Sequence, residues 1–175
     1  MNRRSTSLLA LLGALSLLTG CPPTPPVVNP GGGNPPPWAV DAAALCRIAE
    51  AGCNSLAAAF PAQAKQFTTA AADLELAAQV FDRWQGGSDL QNVETDVNNA
   101  EQAIEGITGL SSQETALIQA VTQGIEGVLN IIASNNPGAA GIRPASVAAP
   151  MTPAQLKDKF NAGATAGPAR VAPLH

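Results

Sequence analysis

The residues able to do chemistry in this chain are few: three cysteines, one histidine, nine lysines and arginines, and thirteen carboxylates among 175 residues. The single imidazole, His175, stands at the last position. Ser-His-Asp or Cys-His catalysis and the Glu-x-x-His ligands of di-iron bundles therefore find no histidine in the body of the chain. A Ser-Lys pair built on Lys65, Lys157 or Lys159 has no supporting local motif. A lysine works as a base only when burial lowers its pKa, so these three read as solvated. No Gly-rich phosphate loop follows a strand, because no stretch reads as a strand. These gaps point to a protein that is not an enzyme and needs no cofactor.

Cys46 and Cys53 are the next candidates. Seven residues of continuous helix hold their Cα atoms about 10.5 Å apart, beyond the roughly 7 Å reach of a disulfide, yet cysteines outside the cytoplasm usually pair. Three arrangements are open: a helix broken near Ala51-Gly52 with an internal disulfide, two buried reduced thiols, or bridges to another chain. A lone C-x6-C pair is not a metal site.

The carboxylates are concentrated. Between Asp73 and Glu126, ten acidic residues face the single base Arg83, a local charge of -9. Glu94, Asn98, Glu101 and Glu105 share one helical stripe, which reads as a solvated face; Ca2+ needs six to eight oxygens converging from several directions, so no metal is assigned. From Asn135 onward the sign reverses, with Arg143, Lys157, Lys159 and Arg170 against Asp158. This basic tail either docks on the acidic face, reaches anionic lipid or a partner, or stays solvated. A formal net charge of -4 argues against nucleic acid as a partner.

Cys21 has a different setting. Arg3 and Arg4 precede an apolar run of 11 residues, Leu8 to Leu18, and Leu18-Thr19-Gly20-Cys21 follows. This is the layout of a secretory signal, and the run is too short for a spanning helix, which needs about 20 apolar residues. The tetrad resembles the lipobox of bacterial lipoproteins. The resemblance implies that residues 1–20 are a signal peptide and that Cys21 becomes the acylated first residue of the mature chain. Acyl chains add about 0.8 kcal/mol per buried CH2 and would anchor it to a membrane. Pro22 in place of Asp after the cysteine favours the outer membrane in a Gram-negative lineage, by the same resemblance.

Eight prolines fall between Pro22 and Pro37, around Gly31-Gly32-Gly33. Such a segment sustains neither helix nor sheet, so residues 21–37 read as a tether, which in polyproline II geometry reaches on the order of 50 Å.

The elements that must position any site begin at Trp38. Fifteen alanines between Ala42 and Ala78 favour helix. Asp41 is the expected N-cap of a first helix carrying Leu45, Ile48, Gly52, Leu56 and Ala59, and Pro61 breaks it and opens a second. Phe67, Ala71, Leu74, Ala78 and Phe81 stripe that second helix to about Trp84, where Gly86-Gly87 ends it. Ser88 with Gln91 predicts a capping box for a third helix on Leu90, Val93, Val97, Ala100, Ile104 and Ile107. Ser111 with Glu114 predicts the same for a fourth, on Leu117, Val121, Gly124, Val128 and Ile131.

Short connections make the fold an all-α, up-down bundle of about four antiparallel helices over residues 38–136. Small seam residues (Ala71, Ala78, Ala100, Gly124) imply close backbones and little room for a pocket. Residues 137–175 read as a loosely structured tail with a short helix at about 153–162 started by Thr152-Pro153-Ala154-Gln155, and with the last dozen residues disordered.

The functional expectation is a membrane-anchored envelope lipoprotein acting as a non-catalytic helical scaffold or interaction module, with an unidentified envelope protein as partner and an open oligomeric state. Alternatives are a small-ligand or cation-binding lipoprotein, or a phage- or prophage-encoded lipoprotein for receptor blocking or lysis. The lipobox followed by prolines is similar to outer-membrane spanin subunits, although those are much shorter and the resemblance ends near Pro37.

Overall fold

A computed structural model describes residues 34–85, 87–108, 111–136, 151–166 and 171–175. Five helices follow in order: α1 (Pro37–Ala59), α2 (Ala64–Asp82), α3 (Gly87–Glu105), α4 (Ser112–Asn135) and α5 (Pro153–Ala166). No strand occurs among the described residues. All five helices belong to one compact unit spanning residues 33–175.

Helix ends follow local chemistry, with two departures from expectation. Helix α1 starts a turn before Asp41: Pro36 is extended at φ -63°, ψ 152°, and Pro37 occupies the first helical turn with its φ already set for helix. Asp41 thus lies within the helix and exposed, and is not the cap. Pro61 does stop α1, but it sits with Ala62 and Gln63 in a turn, and α2 opens only at Ala64. Helix α2 then ends at Asp82, short of Trp84. Helix α3 already includes Gly87, placing Ser88 inside it. Its entry is secured by Asp89, whose Oδ2 accepts from the Gln85 N–H at 2.7 Å.

The capping box of α4 forms as the sequence predicts: the Ser111 N–H donates to Glu114 Oε2 at 2.7 Å, and the Glu114 N–H to Ser111 Oγ at 3.4 Å. Thr152 and Gln155 repeat it at α5, with 2.9 Å and 3.2 Å bonds.

The helices run alternately up and down. Arg47 of α1 pairs with Asp82 near the end of α2, and Trp38 meets Phe81 and Trp84 at the same end. At the other end Phe60 lies 6.4 Å from Phe67, ring to ring. Helix α4 packs on α1 in the opposite sense, Gly127 beside Leu45 and Gly52 beside Val121. Helix α3 closes the ring between α2 and α4.

The core is wholly apolar among the described residues, built from Leu45, Leu56, Phe67, Leu74, Phe81, Val93, Val97, Leu117, Ile125 and Ile132 with alanines between them. The expected small seam residues Ala71, Ala78, Ala100 and Gly124 are all buried.

The tail departs most from the sequence reading. Helix α5 runs to Ala166, beyond the expected end near Ala162, and it packs against both α4 and α1. Leu156, Phe160 and Ala164 are buried there. The closing residues are ordered by contacts as well. Val171 is buried, and Asn161 holds Leu174 at both backbone groups, accepting from its N–H at 2.7 Å and donating to its carbonyl at 3.0 Å. The Ser55 hydroxyl donates to the Ala172 carbonyl at 2.8 Å.

Glycine makes this docking possible. A Cβ on Gly124 would stand 2.6 Å from Leu156 Cδ2, one on Gly163 2.9 Å from Leu117 Cδ2, and one on Gly52 3.2 Å from Phe160 Cε2. One glycine on each of three helices receives a large side chain from a neighbour. Gly124→Val is expected to cost about 1–3 kcal/mol by overpacking, and Leu156→Ala about 2–5 kcal/mol. Because the two changes act on one shared space, urea denaturation of the double variant should give less than the sum; strict additivity would contradict the packing.

Candidate functional site

The chemically capable groups of the sequence take definite places, except Arg3, Arg4, Cys21, Arg143 and Arg170, which lie outside the described residues. Cys46 and Cys53 sit on one unbroken helix, free and fully buried. Of the three arrangements open from sequence, this is the one with buried reduced thiols. The helix does not break at Ala51-Gly52, because Gly52 is needed inside it to admit Val121 and Phe160. Burial pushes the Cys53 thiol up to about 12, with Glu50 adding to the effect. Burial raises Cys46 still further, against the opposing pull of Arg47. The thiolate is the nucleophile and the metal ligand, so thiols buried and held protonated in this way are inert. Both should therefore resist a water-soluble disulfide reagent in the native protein and react fast in denaturant; rapid native labelling would refute their burial.

The acidic stripe does not converge. Glu94, Asn98 and Glu101 are half-buried along α3, and Glu105 is exposed. Among the described residues no three His, Cys, Asp or Glu side chains come together as a metal site. Glu94 Oε1 is buried without a hydrogen-bond partner there, which carries a desolvation cost.

Carboxylates instead oppose one another across the helix seams. Partial burial raises Glu50 of α1, with Glu75 of α2 adding to it. Burial and then Asp73 raise Asp96, and Asp73 is itself raised by burial. Burial raises Glu101 of α3, helped by Glu105 and by Glu126 of α4.

The basic tail does not meet this acidic surface through ion pairs among the described residues. Lys159 Nζ donates to the amide oxygen of Gln123, and α5 is held by Leu156 and Phe160. Docking is intramolecular, as one sequence reading allowed, but its force is apolar burial.

A groove opens at the end of the bundle where α1 begins, α4 ends and α5 begins. It encloses about 360 Å³ and is lined by Trp38, Asp41, Ile131, Asn135, Met151, Thr152 and Pro153. The tight seams had suggested little room for a pocket, and periodicity carries no signal for this space, which arises only where three helix ends meet. Trp38 is its fixed wall, packed edge-to-face on Trp84 at 4.8 Å while Trp84 stacks on Phe81 at 5.8 Å.

The segment Glu114–Asn135 is long and apolar enough to cross a membrane, at mean hydropathy 1.3, but half of it is buried inside the bundle, as befits a core helix. No family model, curated protein or solved structure matches the chain.

Raised carboxyls have a thermodynamic consequence. A carboxyl whose folded pKa exceeds its unfolded value opposes folding while ionised, and that opposition fades as pH falls through the folded pKa and is gone below the unfolded value near 4. Glu114 is the counter-example: its bonds to Ser111 lower it, so its contribution is present above the unfolded pKa and lost in acid. Four raised groups outnumber it, and all are partly solvated, so the effect is modest. Thermal midpoints should rise as pH falls through the folded carboxyl pKa values toward about pH 4; a midpoint falling steadily from about pH 7 over that approach would contradict the assignment.

Proposed function

We propose that the protein is a lipid-anchored, non-catalytic helical module of a bacterial cell envelope, held to a membrane through acyl chains on Cys21 and presented to an envelope partner on a Pro-rich tether. The observation that carries the reading is the order of segments: two arginines, an 11-residue apolar run, Leu18-Thr19-Gly20-Cys21, and a proline-rich run continuing to Pro37. Several features support it. The tether reading stops where α1 starts, since Pro37 is also that helix's first residue. The described core holds no buried polar or charged residue, so catalytic groups there would have to come from the surface, on which no metal-binding triad of acidic, Cys or His side chains assembles among the described residues. The free thiols of Cys46 and Cys53 are closed to chemistry by burial. In a Gram-negative cell the Pro22 neighbour favours the outer membrane.

Cys21→Ser should move the protein from the detergent phase to the aqueous phase and abolish incorporation of an alkyne-labelled fatty acid in growing cells. Retention of both properties by the variant would defeat the proposal.

A further inference from the structure

The groove at the α1–α4–α5 end has the make-up of a ligand site, being apolar on most sides with a few polar groups at its rim, and its volume of about 360 Å³ lies in the range of small-molecule sites. What it can bind follows from which of its polar groups remain uncommitted.

Several donors are used up, while the Trp38 and Ala154 N–H groups have no acceptor among the described residues. Pro36, Pro37 and Pro153 have no N–H, and the Ala39 and Val40 N–H groups donate to the Pro36 carbonyl. At α5 the Thr152 and Gln155 N–H groups are consumed by their capping box, and the Leu156 N–H by the Thr152 carbonyl. The Asn135 amide nitrogen donates to the Ile131 carbonyl at 2.8 Å, which leaves its oxygen as an acceptor. Asp41 is exposed and has no ion pair or hydrogen bond among the described residues. Two of the three bordering helix ends are N-termini, which favour an anion, and the third is the C-terminus of α4, which favours a cation; the Asp41 carboxylate at the rim tips the balance to a cation. The Trp38 ring, held in place by Trp84 and Phe81, adds an aromatic wall of the kind that attracts ammonium groups, and Met151 adds a polarisable thioether.

We propose that this groove binds a small organic cation, an ammonium group on a compact apolar body of roughly ten non-hydrogen atoms, with Asp41 as its counter-charge and Trp38 as its aromatic wall. The assignment is independent of lipidation.

Benzyltrimethylammonium has this size and charge. Titrated into the full-length protein, it should perturb tryptophan fluorescence and the Met151 methyl resonance saturably, with Kd on the order of 0.1–1 mM. Asp41→Asn, a change at an exposed position whose folding circular dichroism verifies, should weaken it about tenfold, or 1.4 kcal/mol. The anion 3-phenylpropanoate should not saturate. Absence of saturation by the cation up to about 10 mM, equal affinity in Asp41→Asn, or equally tight binding of the anion would each overturn the proposal.

Discussion

The close approach of α1, α4 and α5 at Gly52, Gly124 and Gly163 is the contact on which the described architecture turns. At each point a backbone without a Cβ makes space for Val121 and Phe160, for Leu156, or for Leu117. Interiors are packed at crystal-like density, so space of this kind is either filled by the right neighbour or lost as a void. Glycine within a helix costs about 1 kcal/mol relative to alanine, and buried leucine and phenylalanine each return about 1.5–3 kcal/mol. The exchange favours docking, and it converts what would be a four-helix ring with a tail into a five-helix unit. The same convergence of α1, α4 and α5 creates the Trp38 groove where their ends fail to close.

Charge plays the opposite part. Arg47–Asp82 is the ion pair found among the described residues, and it is solvated on both sides, a setting in which such pairs contribute little. The seams place like charges near one another, Glu50 with Glu75, Asp73 with Asp96, Glu101 with Glu126. Apolar burial holds the bundle despite its electrostatics. A basic α5 on an acidic bundle invites an electrostatic account of docking, yet the lysine that reaches across meets Gln123, an uncharged amide.

Much of the fold was legible because helical periodicity is written in consecutive residues. The stripes Phe67-Ala71-Leu74-Ala78-Phe81 and Val93-Val97-Ala100-Ile104 are buried as their spacing requires, and Ser111–Glu114 and Thr152–Gln155 cap locally. Errors fell where two local signals competed. Asp41 lost the N-cap role to the Pro36-Pro37 pair, and Ser88 lost it through an earlier helix start, with Asp89 bonding back to Gln85. The tail was misread for a different reason: its apolar residues are sparse, and Leu156, Phe160 and Ala164 gain their weight only from the glycine-lined surface awaiting them.

By itself the sequence determined the all-helical class, the order of the helices and the apolar face of each, since those depend on residues three and four apart. It also contains the Cys21 segment on which the lipoprotein reading stands. Only the tertiary structure decided that Cys46 and Cys53 are both sealed in the core on an unbroken helix, that the tail is a fifth packed helix, and that Trp38, Asp41, Asn135 and Met151 share one groove. These outcomes rest on contacts between residues as many as 117 positions apart. Their strength depends on shape and on which hydrogen-bonding groups remain free, quantities that no local pattern of residue types encodes.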